Sequence, residues 1–154
     1  MNNSRFRCKD LRTGRYSTPG QIYMITTVTT NRAYRFTDFS HGRQVVQSLR
    51  AASLSAETLA FVVMPDHLHW LMQLNQHYSL AQTVQFVKST SARNLNRLTG
   101  TRGPLWSKGY FEHALRQEED VIDCARYIVA NPLRAGLVSS IGEYPLWDAM
   151  WLGD

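Results

Sequence analysis

Two hydrophobic periods alternate along this chain, one near two residues and one near 3.6, and their order outlines a fold. Residues 21–30 are rich in Ile, Val, Thr and Tyr and read as a strand. Asp38 or Ser40 is placed to cap a helix running to about Glu57, with Val45, Val46, Leu49 and Leu54 as its buried stripe. Thr58 to Met64 is a second strand. Pro65-Asp66 marks a sharp connection, and His67 to Leu74 is a third strand. So short a link makes the second and third strands an antiparallel pair. Ser79 then caps a helix with Leu80, Val84, Val87, Leu95 and Leu98 at helical spacing, and residues 100–104 break the pattern. A fourth strand is centred on Tyr110 to Leu115. Gln117-Glu118-Glu119-Asp120 opens a last helix, with its acids at the positive end, and this runs through Ile128 to Asn131-Pro132.

The order strand, helix, strand, strand, helix, strand, helix begins with the split β-α-β-β-α-β pattern. The fold class is therefore α+β, a ferredoxin-like antiparallel sheet with an added C-terminal helix. One domain spans residues 1–154, with an irregular basic arm at 1–20 and a loosely ordered tail at 138–154, pinned by Trp147 and Trp151. In such a sheet the face away from the helices is open. The histidine strand is central, and its side chains alternate between core and open face. Periodicity alone leaves both assignments available, but Leu68, Trp70 and Met72 suit the core better than His67 and His69.

Composition narrows the class. At 44% hydrophobic and 19% charged, the chain reads as a soluble globular domain rather than a disordered one. No apolar run approaches the roughly 18–20 residues of a membrane span. The N-terminus is basic but lacks an apolar signal segment. Cys8 and Cys124 are spaced neither as a zinc site nor as a disulfide framework, which suits a reducing cytoplasm. A net charge of +5 favours a polyanionic partner, nucleic acid first.

The chemistry centres on Met64-Pro65-Asp66-His67-Leu68-His69-Trp70. On a strand, His67 and His69 project side by side and can hold a divalent metal; two histidines on a solvated sheet face give the same pattern. Tyr127 and Asn131, four residues apart on the last helix, share one helical face. A tyrosine hydroxyl is a nucleophile for phosphodiester cleavage once assisted, and a metal polarises the scissile phosphate. The Asn131 oxygen offers a third ligand. Two imidazoles and an amide suit Mn²⁺ better than Mg²⁺. Against this, Tyr127 also fits an amphipathic-helix aromatic, and Asn131 a helix-terminal residue pushed from helical angles by Pro132.

His67-Leu68-His69 is a His-hydrophobic-His (HUH) motif, and with the single downstream Tyr127 the chain resembles the single-tyrosine HUH transposases. Four segments in order point to the REP-associated tyrosine transposases within that group. They are Tyr16-Ser17-Thr18-Pro19-Gly20, Met64 to His69, Gly109-Tyr110-Phe111-Glu112-His113-Ala114-Leu115-Arg116, and residues 125–137, containing Ala125-Arg126-Tyr127 and Asn131-Pro132-Leu133-Arg134. The resemblance runs from about residue 14 to 151. It implies that His67, His69 and Asn131 hold a divalent metal, Mg²⁺ or Mn²⁺. Tyr127 then attacks single-stranded DNA carrying REP-type hairpins, leaving a 5′-phosphotyrosine and a free 3′-hydroxyl that rejoining reverses. It also implies a cytoplasmic, nucleoid-associated protein acting as monomer or homodimer, with no membrane.

Further residues take supporting roles. Asp66 is placed to orient a histidine or a metal-bound water, and His113 to support the site. DNA contacts are expected from Arg5, Arg7, Lys9, Arg12 and Arg15 on the arm, from Lys88, Arg93 and Arg97 on the second helix, and from Arg126 and Arg134 beside the tyrosine. Phe6 and Tyr16 offer stacking surfaces for unpaired bases. A non-catalytic nucleic-acid-binding module on the same sheet is the alternative. Such modules place aromatics on the central strands, where this chain has histidines. A small-molecule metal hydrolase ranks last, because no acidic cluster accompanies the histidine pair.

Overall fold

A computed structural model of the chain describes residues 20–116 and 118–150. Its elements follow one another as β1 (Ile22–Val28), a 3-10 turn (Thr30–Arg32), α1 (Phe39–Ala51), β2 (Ala56–Met64), β3 (His67–Leu74), α2 (Leu80–Thr99), β4 (Phe111–Leu115), α3 (Glu118–Val129), α4 (Asn131–Arg134), a second 3-10 turn (Ile141–Glu143) and β5 (Trp147–Ala149). The sheet order is β4-β1-β3-β2-β5, and every neighbouring pair is antiparallel. The first four strands have the ferredoxin-like order, and β3 is central.

Local chemistry sets the boundaries. The Asp38 side chain accepts a hydrogen bond from the Ser40 N–H at 2.9 Å and starts α1. Ser79 and Gln82 form a reciprocal capping box at the start of α2, and Gly100 ends it in the left-handed region (φ 68°), where glycine escapes the Cβ clash. α1 stops at Ala51 rather than near Glu57. The chain turns through residues 52–55 to begin β2 at Ala56, so Leu54 is exposed instead of lying in the buried stripe. Leu98, in the last turn of α2, is exposed as well. The two-residue Pro65-Asp66 link closes a hairpin in which Met64 pairs with His67.

Both sheet faces are covered. On one, Tyr23, Ile25, Leu68, Trp70, Met72 and Leu74 meet Val45, Val46 and Leu49 of α1 and Val84, Val87 and Leu95 of α2. On the other, Met24, Val62, Leu71 and Leu115 meet Val121, Ala125, Ile128 and Val129 of α3. The added helix therefore lies across the face expected to be open. The physical reason is in β2, where Leu59 to Met64 is buried at every position; such a run needs cover on both sides. Cys124, fully buried on α3, is disulfide-bonded, which corrects the expectation from spacing that the cysteines form no disulfide, because spacing along the chain does not show which thiols meet in space.

The tail is also better ordered than expected. β5 pairs with β2, the Val63 N–H donates to the Leu146 carbonyl at 2.9 Å, and the Tyr144 hydroxyl donates to the Val63 carbonyl at 2.6 Å. Burial pushes the Tyr144 hydroxyl up to about 12, so it stays protonated and able to donate. Trp147 joins the tail to the body by pairing with Val62 of β2 and packing against the α3-side core, and its indole N–H braces the tail internally by donating to the Ile141 carbonyl at 3.0 Å; Trp151 lies outside the described residues. Among the described residues no helix is long and apolar enough to cross a membrane.

Candidate active site

Strand register builds the site. On β3, Leu68, Trp70, Met72 and Leu74 take the α1/α2 face, which sends His67, His69 and Leu71 to the α3 face. His67 and His69 lie with ring centroids 4.7 Å apart. The next strand brings Thr26 opposite His69, and the Thr26 hydroxyl is 2.8 Å from His69 Nδ1. At the hairpin, Asp66 Oδ1 accepts from His67 Nδ1 at 2.7 Å. An ionised carboxylate only accepts, so His67 carries its proton on Nδ1 and keeps the Nε2 lone pair. A Thr hydroxyl that accepts from His69 Nδ1 leaves His69 in the same state.

Electrostatics keep both rings neutral. Burial lowers the His67 pKa, Asp66 partly offsets this, and Arg32 adds to it. Burial pushes His69 down to about 3, helped by the neighbouring His67 and by the Arg134 and Arg32 guanidiniums. Asp66 is held below the usual carboxylate range: burial opposes ionisation, but the hydrogen bond from His67 and the Arg32 guanidinium outweigh it. Neutral imidazole with a fixed tautomer is the form that ligates metals.

α3 brings the tyrosine to the same face. The Tyr127 ring centroid is 6.4 Å from that of His69. Arg134 stacks its guanidinium over the Tyr127 ring, 3.8 Å from the centroid, and donates to the Tyr127 carbonyl at 2.7 Å. Pro132 lacks an N–H, so the helical ladder is interrupted there and the helix divides into α3 and α4. Asn131 nonetheless stays helical, as the first residue of α4. One chain thus supplies both histidines and the tyrosine.

The donor set fits a metal in part. His67 and His69 present neutral imidazoles fixed through Nδ1, whereas no third His, Cys, Asp or Glu joins them among the described residues. A further protein ligand has to be a neutral oxygen, and Asn131, one helical turn beyond Tyr127, is of that type.

The remaining expected residues are spread more widely. His113 is buried on β4 and shares the α3 face, but it pairs with Met24, which stands between it and β3. Arg126 is exposed on α3 and Arg134 on α4. Arg93 and Arg97 are exposed on α2, in the layer beyond the opposite sheet face. The Lys88 ammonium donates to the Ser107 carbonyl at 2.9 Å and the Gly109 carbonyl at 2.7 Å. It ties α2 to the loop before β4, and burial lowers its pKa. Arg5, Arg7, Lys9, Arg12 and Arg15, with Phe6 and Tyr16, lie outside the described residues. Sequence reasoning missed two participants, Thr26 and Arg32. Thr26 carries no local signal, since only strand register brings it to His69. Arg32 reads as an ordinary turn residue until its Nε is found 2.8 Å from Asp66 Oδ2.

A histidine pair on the central strand and a single tyrosine on a helix crossing the same face define a class of protein, the single-tyrosine transposases of the HUH type. Comparison with known proteins agrees. The family described as IS200-like transposase matches residues 18–131, and the chain belongs to it. A candidate REP-associated tyrosine transposase of Haemophilus influenzae is 28% identical over 139 residues, covering 83% of this chain and 79% of its own length. The REP-associated tyrosine transposase of Escherichia coli K12 is 25% identical over 115 residues, covering 64% of each chain. In fold, the chain is similar to a solved REP-associated tyrosine transposase bound to a REP hairpin. The TM-score is 0.73 at 21% identity, covering 88% of this chain and 81% of that one.

Proposed function

We propose that this protein is a metal-dependent endonuclease and strand transferase acting on single-stranded DNA that carries REP-type hairpins. The observation that carries the reading is the meeting of Tyr127 with the His67–His69 pair, each imidazole held through Nδ1, on one sheet face. The relative solved with a REP hairpin supports the substrate class. His67, His69 and Asn131 are the residues that would hold Mg²⁺ or Mn²⁺, which supplies charge neutralisation at the scissile phosphate. Tyr127 Oη loses its proton and forms a bond to phosphorus, while the bond from phosphorus to the 3′ oxygen breaks. That oxygen takes up a proton and leaves as a 3′-hydroxyl. One phosphodiester replaces another, so rejoining is the same step reversed with a new 3′-hydroxyl. Arg134, stacked on the face of the tyrosine ring, orients it. Asp66 and Thr26 hold the imidazoles. Because one chain supplies histidines and tyrosine together, a single copy contains the reacting groups.

The test is covalent capture. Labelled single-stranded DNA carrying REP hairpins is incubated with the protein and Mn²⁺ or Mg²⁺, and SDS-resistant species are resolved on a gel. A metal-dependent adduct that disappears in Tyr127→Phe and in His67→Ala supports the reading. Tight hairpin binding with no adduct under either metal replaces it with the non-catalytic binding module.

A further inference from the structure

The 3-10 turn after β1 carries a backbone conformation that its sequence does not favour. Asn31 and Arg32 both have positive φ, 57° and 55°. Asparagine tolerates this region, whereas arginine pays a Cβ clash that glycine would avoid. The surroundings hold the turn in place. The Thr29 N–H donates to the Asp66 carbonyl at 2.9 Å and the Thr30 N–H to the Leu105 carbonyl at 3.0 Å. The Thr29 hydroxyl donates to the Ala33 carbonyl at 2.7 Å. Strain maintained in this way concentrates at ligand clamps and active sites.

What the strain delivers is a guanidinium at the histidine pair. Arg32 Nε donates to Asp66 Oδ2 at 2.8 Å, and the other oxygen of the same carboxylate accepts from His67 Nδ1. The Arg32 side chain is 59% exposed, and among the described residues no hydrogen bond occupies its terminal nitrogens. Its charge is felt at both His67 and His69. An arginine anchored through Nε, with both Nη groups available, matches the oxygens of a phosphodiester in a way that a lysine cannot.

We propose that Arg32 is a phosphate clamp of the transposase site: Asp66 fixes its Nε, and its Nη groups grip a non-bridging oxygen of the single-stranded DNA phosphate lying over His67 and His69. This rests on the functional reading above and adds a substrate-contacting residue to it. Asp66 thereby links the orientation of His67 to the position of the clamp.

The experiment uses the full chain in a Tyr127→Phe background, so that DNA stays uncleaved, and a fluorescent single-stranded REP hairpin as probe. Affinity is measured between 50 and 200 mM salt. Arg32→Gly suits the left-handed backbone, so it melts at or above the parent temperature. It nonetheless binds roughly tenfold more weakly at fixed salt, with a log–log salt slope shallower by about 0.7, the signature of one lost phosphate contact on a single strand. Arg32→Lys restores most of the slope but, with Tyr127 intact, forms adduct at least about tenfold more slowly, because one ammonium cannot hold Asp66 and the phosphate together. A parental slope and affinity in Arg32→Gly overturn the proposal and leave Arg32 as a structural partner of Asp66. Wild-type adduct rates in Arg32→Lys overturn it equally. If the Tyr127→Phe parent fails to bind the hairpin at all, the functional reading falls and the clamp falls with it. Parental binding with an unaffected Arg32→Gly removes the clamp alone.

Discussion

Replacing Thr26 by valine keeps the shape of the side chain and deletes one oxygen. The position is buried, at 8% exposure, on a β strand that accommodates valine readily, so the fold tolerates the change. The oxygen removed is the one 2.8 Å from His69 Nδ1. Without it nothing on β1 holds the His69 ring in its orientation. A buried polar nitrogen left without its partner costs about 1–3 kcal/mol. Partners of metal-binding histidines are worth about 10- to 100-fold in metal affinity or activity, which at roughly 1.4 kcal/mol per tenfold is the same range. The expected outcome for Thr26→Val is therefore a 10- to 100-fold loss, seen as a higher Mn²⁺ concentration for half-maximal adduct formation in single-turnover experiments. Thr26→Ser should lie near wild type, since it keeps the hydroxyl. A Thr26→Val protein that melts normally and forms adduct within twofold of wild type at every Mn²⁺ concentration would refute the argument that this hydroxyl orients His69.

Other outcomes follow from the same geometry. His67 and His69 have folded-state pKa values below the usual histidine range, His69 at about 3, so the unfolded chain binds more protons once pH falls below about 6.5. Stability is then full above that pH and declines toward pH 3; urea midpoints should show a loss of about 1–2 kcal/mol between pH 7 and 5, and a midpoint that stays constant or rises counts against neutral, buried imidazoles. Lys88→Met removes the ammonium that joins α2 to the Ser107 and Gly109 carbonyls and should cost about 1–2 kcal/mol in urea unfolding with little change in the salt dependence of hairpin binding. The converse, a large change in salt slope at unaltered stability, would return Lys88 to the DNA interface. Tyr144→Phe deletes the hydroxyl bond to the Val63 carbonyl and should lower stability by about 1–2 kcal/mol, with faster amide exchange along β2 and β5; unchanged exchange there would show that the tail is held by Trp147 and Leu146 alone.

Much of this protein is legible in its one-dimensional pattern because the governing interactions are local. Alternation in residues 67–74 sends Trp70 to one face and His69 to the other whatever the rest of the chain does. The Pro65-Asp66 link is too short for anything but a hairpin, and Ser79 with Gln82 caps a helix by itself. The histidine pair and Tyr127 were visible for the same reason, as residue types at strand and helix spacing joined by a resemblance over most of the chain. The unbroken apolar run from Leu59 to Met64 is also a local pattern, that of a strand covered on both faces, and the expectation of an open face took no account of it.

What the pattern could not supply is everything set by contact between distant segments. Thr26 reaches His69 only because β1 and β3 pair in one register, and a shift of a single residue would have turned that hydroxyl to the opposite face. Arg32 reaches Asp66 only because the 3-10 turn is pulled into the left-handed region by Thr29 and Thr30 bonding to other strands and loops. Lys88 reads as a DNA-contacting cation of the second helix until two loop carbonyls are found around its ammonium, and the tail becomes a fifth strand because β2 has an unpaired edge to offer. The sequence determined the elements and the reacting side chains through short-range spacing. Which groups orient them, and which cations stand beside them, was decided by tertiary structure, because hydrogen bonds and charges act over distances in space that spacing along the chain does not encode.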